Sequence, residues 1–291
     1  MSLYDRIFRP RRYTLSDGTV VEEKRSRAPL VLLILVVLTA VSVRITGFNF
    51  SVLVKKGSKF FDILKAMFPP NTAYLGKIWQ PLLDTIKMSF LGSFIGAVLA
   101  IPFAIAAASN IVTNRVVVFL VRLFLSLVRT LPTLVCALIA TYIFGLGTMA
   151  GTCAIAVFTF AYVGKQLFEI IETVDMGPYE AMEALGATKL RAFVTAVFPQ
   201  VLPTYLSVSL FCLEGNVRYA SILGYVGAGG IGLLLNEKVS WREYDKVGTI
   251  LLLLFAVVYL MEHLSTWLTR LVQQERTLGR QERRLLAGAA A

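Results

Sequence analysis

The chain has 291 residues, of which 56% are hydrophobic and 16% charged, and it carries a formal net charge of +11. A water-soluble fold of this length could not bury so many apolar side chains in one core and still cover its surface with polar groups, so we expect a membrane protein. The positive charge does not indicate a nucleic-acid partner, because the basic residues gather at the ends of apolar blocks, where they set membrane orientation.

Six apolar blocks are close to the length of about 20 residues that a helix needs to cross a bilayer. The blocks are residues 28–48, 81–109, 116–143, 147–172, 199–222 and 247–269. The first block follows a polar stretch and precedes no small-residue cleavage site, which favours a retained anchor over a signal peptide. We therefore predict an all-α fold, a polytopic membrane bundle of six transmembrane helices in contact with membrane lipid.

The predicted spans divide the chain into four segments. They are an N-terminal tail at 1–27, the first transmembrane helix with an external segment at 28–80, a transmembrane core at 81–272 and a C-terminal tail at 273–291. Lysine and arginine are nearly twice as numerous in the two tails and in the 110–115 and 173–198 loops as in the remaining loops. Because cytoplasmic loops carry the excess of basic residues, we predict a multi-pass protein of the cell membrane with both termini in the cytoplasm.

The external segment contains an amphipathic pattern. Its apolar face is formed by Phe60, Ile63, Leu64 and Met67. The opposite face carries Lys59, Asp62 and Lys65. This pattern is typical of a short helix lying in the membrane interface, and an ordinary amphipathic connector would explain it equally well.

Helix-perturbing residues interrupt the apolar blocks. Pro132 lies inside the third block, and a glycine-rich stretch follows the fifth, with Gly227, Gly229, Gly230 and Gly232. Non-helical backbone at membrane depth is tolerated only where protein or a water-filled cavity surrounds it, and such breaks are common in transport proteins. We assign these five residues to a gate or to close helix packing. The glycines also fit G-x-G-x-x-G, but no strand precedes them, so we reject a dinucleotide site.

The loop between the fourth and fifth blocks contains signals for two short helices. Glu180 and Glu183 suit the start of a helix, where carboxylates oppose the helix dipole favourably. Gly186 is placed to end that helix in a left-handed conformation, and Thr188 then caps the next one. We predict a short helix, a sharp corner and a second helix leading to Pro199, which together form a rigid projection that another protein can grip.

The same stretch resembles the coupling loop of ATP-binding-cassette (ABC) importer permeases, whose pattern is E-A-A, three residues, G, nine residues and I-x-L-P. The residues that match in register are Glu180, Ala181, Gly186 and Pro199. The mild departures are Met182, Ala196 and Phe198. The resemblance implies a coupling helix at about 178–190 that docks on a cytoplasmic ATPase. The residues that it assigns to this contact are Glu180, Ala181, Glu183, Ala184, Gly186, Ala187 and Pro199.

Two further stretches resemble the phosphonate-transport permeases within these binding-protein-dependent type I importers. Arg129-Thr-Leu-Pro132 is similar to their Arg-Thr/Ser-x-Pro element. The stretch from Glu214 to Gly232 is similar to the Asn-x-Arg element and glycine-rich ending of their fifth span, although methionine-type permeases carry a similar glycine-rich piece. The resemblance covers about residues 81–271 and implies the type I importer permease fold.

Charged residues inside the predicted spans are candidates for the substrate path. An arginine at the centre of a span costs at least about 2.5–3.5 kcal/mol, so it usually faces a partner or an aqueous path. Arg122 and Arg129 are seven residues apart and share a helical face. Arg218 could instead pair with Glu214 four residues earlier, and Asn216 lies on a neighbouring face. Because an arginine fork suits an oxyanion, we assign Arg122, Arg129, Asn216 and Arg218 to the path.

The sequence gives little support for ATP binding, metal binding or catalysis by this chain. The chain has no G-x-x-x-x-G-K-[ST] loop, since Ile78 follows Gly76-Lys77 and Gln166 follows Gly164-Lys165. We therefore expect ATP and Mg to be bound by separate ATPase subunits and this chain to hold no cofactor. One histidine and three cysteines inside apolar blocks predict neither a metal site nor catalytic residues.

These observations predict a transporter subunit and not an enzyme. The resemblance implies the permease of an ABC importer for a small oxyanion, with phosphonate first and phosphate or phosphite next. Its implied partners are an ABC ATPase dimer, a second permease subunit expected to be identical, and an extracytoplasmic substrate-binding protein. A permease for a small amino acid such as methionine is one alternative. An ion-coupled secondary transporter is another, although inverted repeats or intramembrane carboxylates would then be expected.

Overall fold

The computed structural model describes residues 11–14, 18, 20–23 and 28–289. The chain divides into two compact units, Met1–Ile63 and Leu64–Ala291. Most of the predicted N-terminal tail lies outside the described residues. The part that is described forms a small antiparallel hairpin of β1, Arg11–Thr14, and β2, Val20–Glu23. The other elements of the described chain are helical, which confirms the predicted all-α class, and the hairpin is a small addition to it.

The first unit continues with two helices. α1, Ala28–Ile45, has a mean hydropathy of 2.5, and every one of its residues is exposed, as expected of a helix that lipid surrounds. α2 starts only a few residues later and spans Phe50–Ala66. It includes most of the amphipathic pattern of the external segment, so the predicted helix is present and longer than expected. Its location in the membrane interface stays a prediction.

The second unit holds the remaining helices and the core. These are α3 Leu75–Ala107, α4 Arg115–Thr130, α5 Thr133–Phe144, α6 Thr148–Glu172, α7 Gly177–Ala184, α8 Lys189–Ala192, α9 Phe198–Leu223, α10 Ile231–Ser240 and α11 Tyr244–Ala289. Short 3-10 turns occupy Thr72–Tyr74 and Gly224–Val226, and a π-helical turn occupies Phe193–Val197.

Five helices in the described part of the chain are long and apolar enough to cross a membrane, or six if α4 and α5 count as one broken span. The sequence predicts a single span at residues 116–143, but the structure bends this region by 86° between α4 and α5. The bend follows from Pro132, which lacks an N–H group and disfavours helical backbone at the residue before it. Leu131 accordingly has an extended conformation, with ψ of 122°.

α3 begins at Leu75 and so crosses the predicted segment boundary at residue 81. Pro81 lies inside the helix, where its missing N–H removes one backbone hydrogen bond. Burial of neighbouring side chains offsets that loss, since Ile78 and Leu82 are 0% and 1% exposed in a cluster that also contains Ile250. The compact core therefore starts several residues before the predicted boundary.

α3 and α6 approach each other closely through glycine. A Cβ atom added at Gly96 would lie 2.5 Å from the carbonyl oxygen of Ala156, and one at Gly92 would lie 2.8 Å from that of Thr152. Glycines four residues apart let membrane helices bring their backbones together, because lipid supplies no hydrophobic force to associate them. This close contact positions the polar residues of α6 against those of α3 and α9.

Candidate coupling surface and substrate path

The predicted coupling helix is α7, and a buried tyrosine in its first turn packs it against the core. Tyr179 is 4% exposed and lies in the same core cluster as Ala192 and Phe193. Burial, together with the nearby Glu183 carboxylate, raises the pKa of Tyr179. Glu180 and Ala181, on the other side of the helix, are exposed. The helix therefore presents one face to its surroundings while the opposite face packs against the bundle.

The corner after α7 has the predicted backbone geometry. Gly186 has a φ of +85°, in the left-handed region that favours glycine. The N–H of Gly186 donates to the Glu183 carbonyl at 2.9 Å and the N–H of Ala187 to the Met182 carbonyl at 3.0 Å, which satisfies carbonyls at the helix end. Thr188 then caps α8, and its hydroxyl accepts from the Arg191 N–H at 3.4 Å.

Two leucines at this corner were not among the predicted contact residues. Leu185 is 83% exposed and Leu190 is 70% exposed, on either side of Gly186. These two leucines give the corner an exposed apolar surface next to Gly186. Their position beside a helix-ending glycine in a polar loop was a signal in the sequence that the motif-based assignment passed over.

Arg122, which the sequence assigns to the substrate path, contacts protein groups on neighbouring helices, and its role in the path stays a prediction. Its guanidinium pairs with Glu172, donates from Nε to the Ala107 carbonyl at 2.9 Å and lies 4.8 Å from the centre of the Phe168 ring. The seven-residue spacing from Arg129 was a correct guide to the shared face, since both arginines contact α6. That spacing could not show a carboxylate 50 residues further along the chain.

Arg129 and Arg218 are both exposed and belong to different helices. The guanidinium of Arg129 lies 5.7 Å from the centre of the Tyr162 ring on α6. Arg218 pairs with Glu214 at 2.8 Å, as its four-residue spacing allows, yet 54% of its side chain is exposed. The pairing therefore leaves the Arg218 guanidinium accessible, and both arginines stay candidates for an aqueous path.

Asn216, which the sequence also assigns to the path, is buried in the core, and its role in the path stays a prediction. It is 1% exposed, and its amide donates to the hydroxyls of Ser93 on α3 and Thr159 on α6, both at 2.8 Å. A buried amide needs such partners, because an unsatisfied donor costs about 1–3 kcal/mol. Asn216 thus ties α9 to the close α3–α6 pair, and sequence spacing gave no signal for those two partners.

The glycine-rich stretch forms a tight turn with left-handed backbone. Gly227, Gly229 and Gly230 have φ angles of +80°, +77° and +72°. A Cβ atom added at Gly232 would lie 2.0 Å from the Ser221 carbonyl oxygen, so α10 packs directly on the end of α9. Of the two roles assigned to these glycines, a gate or close helix packing, the structure shows close packing at Gly232. Gating by these glycines and by Pro132 stays a prediction.

A charged cluster lies near this turn, at the starts of α3 and α11. Glu243 bridges Lys246 at 2.7 Å and Lys238 at 3.1 Å, and both ammonium groups lie beside the Tyr74 ring. The hydrogen bond from Lys246, and then the one from Lys238, lowers the pKa of Glu243. Hydrogen bonds to Glu237 and then to Glu243 raise the pKa of Lys238. The cluster anchors α10 and α11 to the start of α3.

The chain matches a known protein family and is similar to two known permeases. Residues 100–277 match the family described as binding-protein-dependent transport system inner membrane component. The phosphate-import permease protein PhnE of Mycolicibacterium smegmatis is 35% identical over 212 residues, which are 72% of this chain and 40% of that protein. The phosphite transport system permease protein PtxC of Stutzerimonas stutzeri is 36% identical over 201 residues, which are 69% of this chain and 73% of that protein.

The fold is also similar to that of a solved transporter. The chain aligns with a structure of the MetNI methionine ABC transporter in an inward-facing conformation, with a TM-score of 0.62 and 22% identity. The alignment covers 69% of this chain and 99% of the matched chain. This likeness shows that the aligned part of the chain has the fold of an ABC importer membrane subunit.

Proposed function

Because the chain belongs to the family of inner membrane components of binding-protein-dependent transport systems, we propose that it is the permease subunit of an ATP-driven importer for a small phosphorus oxyanion. The names of the phosphate-import and phosphite relatives support the substrate class, and phosphonate is our first choice within it. The observation that carries the proposal is the corner between α7 and α8, a rigid and exposed projection in the longest loop of the core.

The proposed complex contains subunits that this chain lacks. A dimer of cytoplasmic ATPases binds ATP and Mg and grips the corner, and an extracytoplasmic binding protein delivers the anion. A second, identical permease subunit completes the path at the interface of the two bundles. In this arrangement both termini and the corner lie in the cytoplasm, as the distribution of basic residues favours.

The proposed path is lined by Arg129 and Arg218. An exposed guanidinium on a membrane-spanning segment is stable only if water or an anion reaches it, since lipid would impose a large penalty. Arg129 also lies two residues before the bend between α4 and α5, where a change in helix angle would move it. Each arginine can donate two parallel hydrogen bonds to a tetrahedral oxyanion.

The first experiment separates an ATP-driven importer from an ion-coupled transporter. Cells that rely on this complex should lose uptake of labelled methylphosphonate, phosphite or phosphate when ATP is depleted at constant membrane potential. Uptake should continue when the potential is dissipated at constant ATP. The opposite pattern would refute the proposal and favour a secondary transporter.

The second experiment tests the path. Arg129→Gln and Arg218→Gln should each reduce uptake roughly 10- to 100-fold, since a hydrogen bond to a charged group is worth about 1.5–3 kcal/mol. Assembly of the complex should persist, because both side chains are exposed. Arg115→Gln, at the start of α4, is the matched control and should leave uptake unchanged. Normal uptake in both path variants would remove these arginines from the path.

A further inference from the structure

The segment that leads into α7 is held by hydrogen bonds near the C-terminal ends of α3 and α6. Glu172, the last residue of α6, accepts from the Ser109 N–H at 2.9 Å and from the Ser109 hydroxyl. The amide of Asn110 donates to the Ile171 carbonyl at 2.8 Å. Residues 108–114, between α3 and α4, therefore hold the chain just before α7 begins at Gly177.

Arg122 extends this contact into α4. Through its bonds to Glu172 and to the Ala107 carbonyl, one guanidinium connects the end of α6, the end of α3 and the body of α4. The Arg122 and Glu172 side chains are 34% and 26% exposed, so the ion pair contributes little to stability by itself. Its geometry matters more, because one guanidinium contacts groups on α3 and α6 while it is carried by α4.

α4 then provides a rigid connection from this bridge to the proposed path. Arg122 and Arg129 are seven residues apart, which is about two helical turns and about 10 Å along the axis. The helix ends immediately afterwards, at the bend before Pro132. A displacement of α4 at Arg122 would therefore reach Arg129 directly.

The other side of the coupling helix is secured differently. Gln200, near the start of α9, donates to the Asp175 carbonyl at 3.1 Å and to the Ala196 carbonyl at 2.8 Å. This connection is a hydrogen bond to backbone with no charge involved. Among the residues that the structure describes, the charged connection runs through Glu172 and Arg122, and a change of either side chain to glutamine removes that charge pairing.

We propose that the Arg122–Glu172 pair is a transmission link that carries the movement of the coupling helix into α4 and so to Arg129. The proposal rests on the function proposed above and adds a route for the movement. The proposal gives neither residue a contact with the ATPase or the anion, so both are positioning residues. In this proposal Arg129 binds the anion, and Arg122 moves Arg129.

The test measures coupling in the assembled complex. Purified complex in liposomes, with its ATPase and binding protein, is assayed for substrate uptake and ATP hydrolysis in the same preparation. In Arg122→Gln and Glu172→Gln, hydrolysis should stay within about twofold of wild type, while uptake per ATP should fall at least about fivefold, the lower end of typical coupling effects. The exchanged pair R122E/E172R should recover part of that ratio.

Lys165 and Glu169 provide a matched control. They form an ion pair at 3.7 Å within α6, with comparable exposure, and within the described ranges of the chain neither pairs with another helix. Lys165→Gln and Glu169→Gln should leave uptake per ATP unchanged. Ser109→Ala, which removes one hydroxyl donor and keeps the ion pair, is the milder variant and should lower the ratio by a smaller factor.

The outcomes are distinguishable. Uptake and hydrolysis that fall in parallel in the Arg122 and Glu172 variants would overturn the proposal, because a purely structural staple predicts that result. An unchanged ratio would overturn it as well. Absence of ATP-driven uptake of any phosphorus oxyanion by the wild-type complex would instead refute the proposed function and would be recognised before any variant is made.

Discussion

The corner after α7 and the glycine-rich stretch that leads into α10 both depend on glycine, at Gly186 for its positive φ and at Gly232 for its small size. A Cβ added at Gly186 would meet no atom within 4 Å in the described part of the chain. A Cβ added at Gly232 would meet the Ser221 carbonyl oxygen at 2.0 Å. The first region needs a backbone conformation and remains open to a partner, whereas the second needs space and is closed by packing. Damage to the first should affect coupling, and damage to the second should affect folding.

Gly232→Ala should have the largest effect, because the obstructing atoms are backbone atoms that cannot rotate away. We expect a loss of more than about 4 kcal/mol, which leaves little folded protein in the membrane. Quantitative blotting of membranes and a thermal-unfolding assay in detergent would measure this. Gly215→Ala on α9 is the control, since a Cβ there meets no atom within 4 Å among the described residues. Normal abundance of the Gly232 variant would contradict the distinction between the two regions.

Gly186→Val should have a smaller effect of a different kind. A non-glycine residue in the left-handed region costs about 1–2 kcal/mol, so the corner should change shape while the bundle still folds. We expect near-normal membrane abundance with uptake reduced by at least tenfold, measured together with ATP hydrolysis. Gly186→Asn is the matched variant, because asparagine tolerates this conformation and should retain most uptake. If valine removed the protein from the membrane, the corner would be a folding element after all.

The charged cluster around Glu243 predicts the smallest effect, a dependence of stability on pH. The pKa of Glu243 is lowered, so its contribution is present above the ordinary value of about 4.3 and is lost as pH falls through the folded pKa. The pKa of Lys238 is raised, so its contribution is present below the ordinary value of about 10.4 and is lost as pH rises through the folded pKa. Between these limits stability should be flat.

Thermal unfolding of the detergent-solubilised protein between pH 3 and 6 would measure the acid side of this dependence. Glu243→Gln should flatten the decline at low pH, because the amide does not titrate. Glu180→Gln, on the exposed face of α7, is the control and should keep the decline of the wild-type protein. An identical decline in all three proteins would show that protonation of Glu243 does not change the stability of the contacts among α3, α10 and α11.

Local signals in the sequence predict the helices and the corner well. Pro132, Gly186 and Thr188 act through their own backbone geometry or hydrogen bonds, so their effects do not depend on distant residues. The α3 boundary is less predictable, because Pro81 is a local signal that the burial of Ile78 and Leu82 outweighs. Local chemistry thus identifies where helices end except where packing opposes it.

The partners of charged and polar side chains were harder to predict from the sequence. Arg122 meets Glu172 and Asn216 meets Ser93 only because the fold brings distant segments together, so helical spacing showed the faces but not what covers them. Burial of Asn216 therefore could not be distinguished from exposure to a path. The glycines at 92 and 96 did offer a signal, since their spacing is typical of close contact between membrane helices.

The π-helical turn at Phe193–Val197 has a consequence for comparing related chains. A π-turn holds one residue more than the surrounding α-helix and is equivalent to a single inserted residue. Removing one residue from it would join α8 and α9 into one continuous helix and rotate Leu190 by about 100° around the α9 axis. A relative with one residue fewer between its corner glycine and the following proline should therefore present the corner leucine toward a different side of its partner.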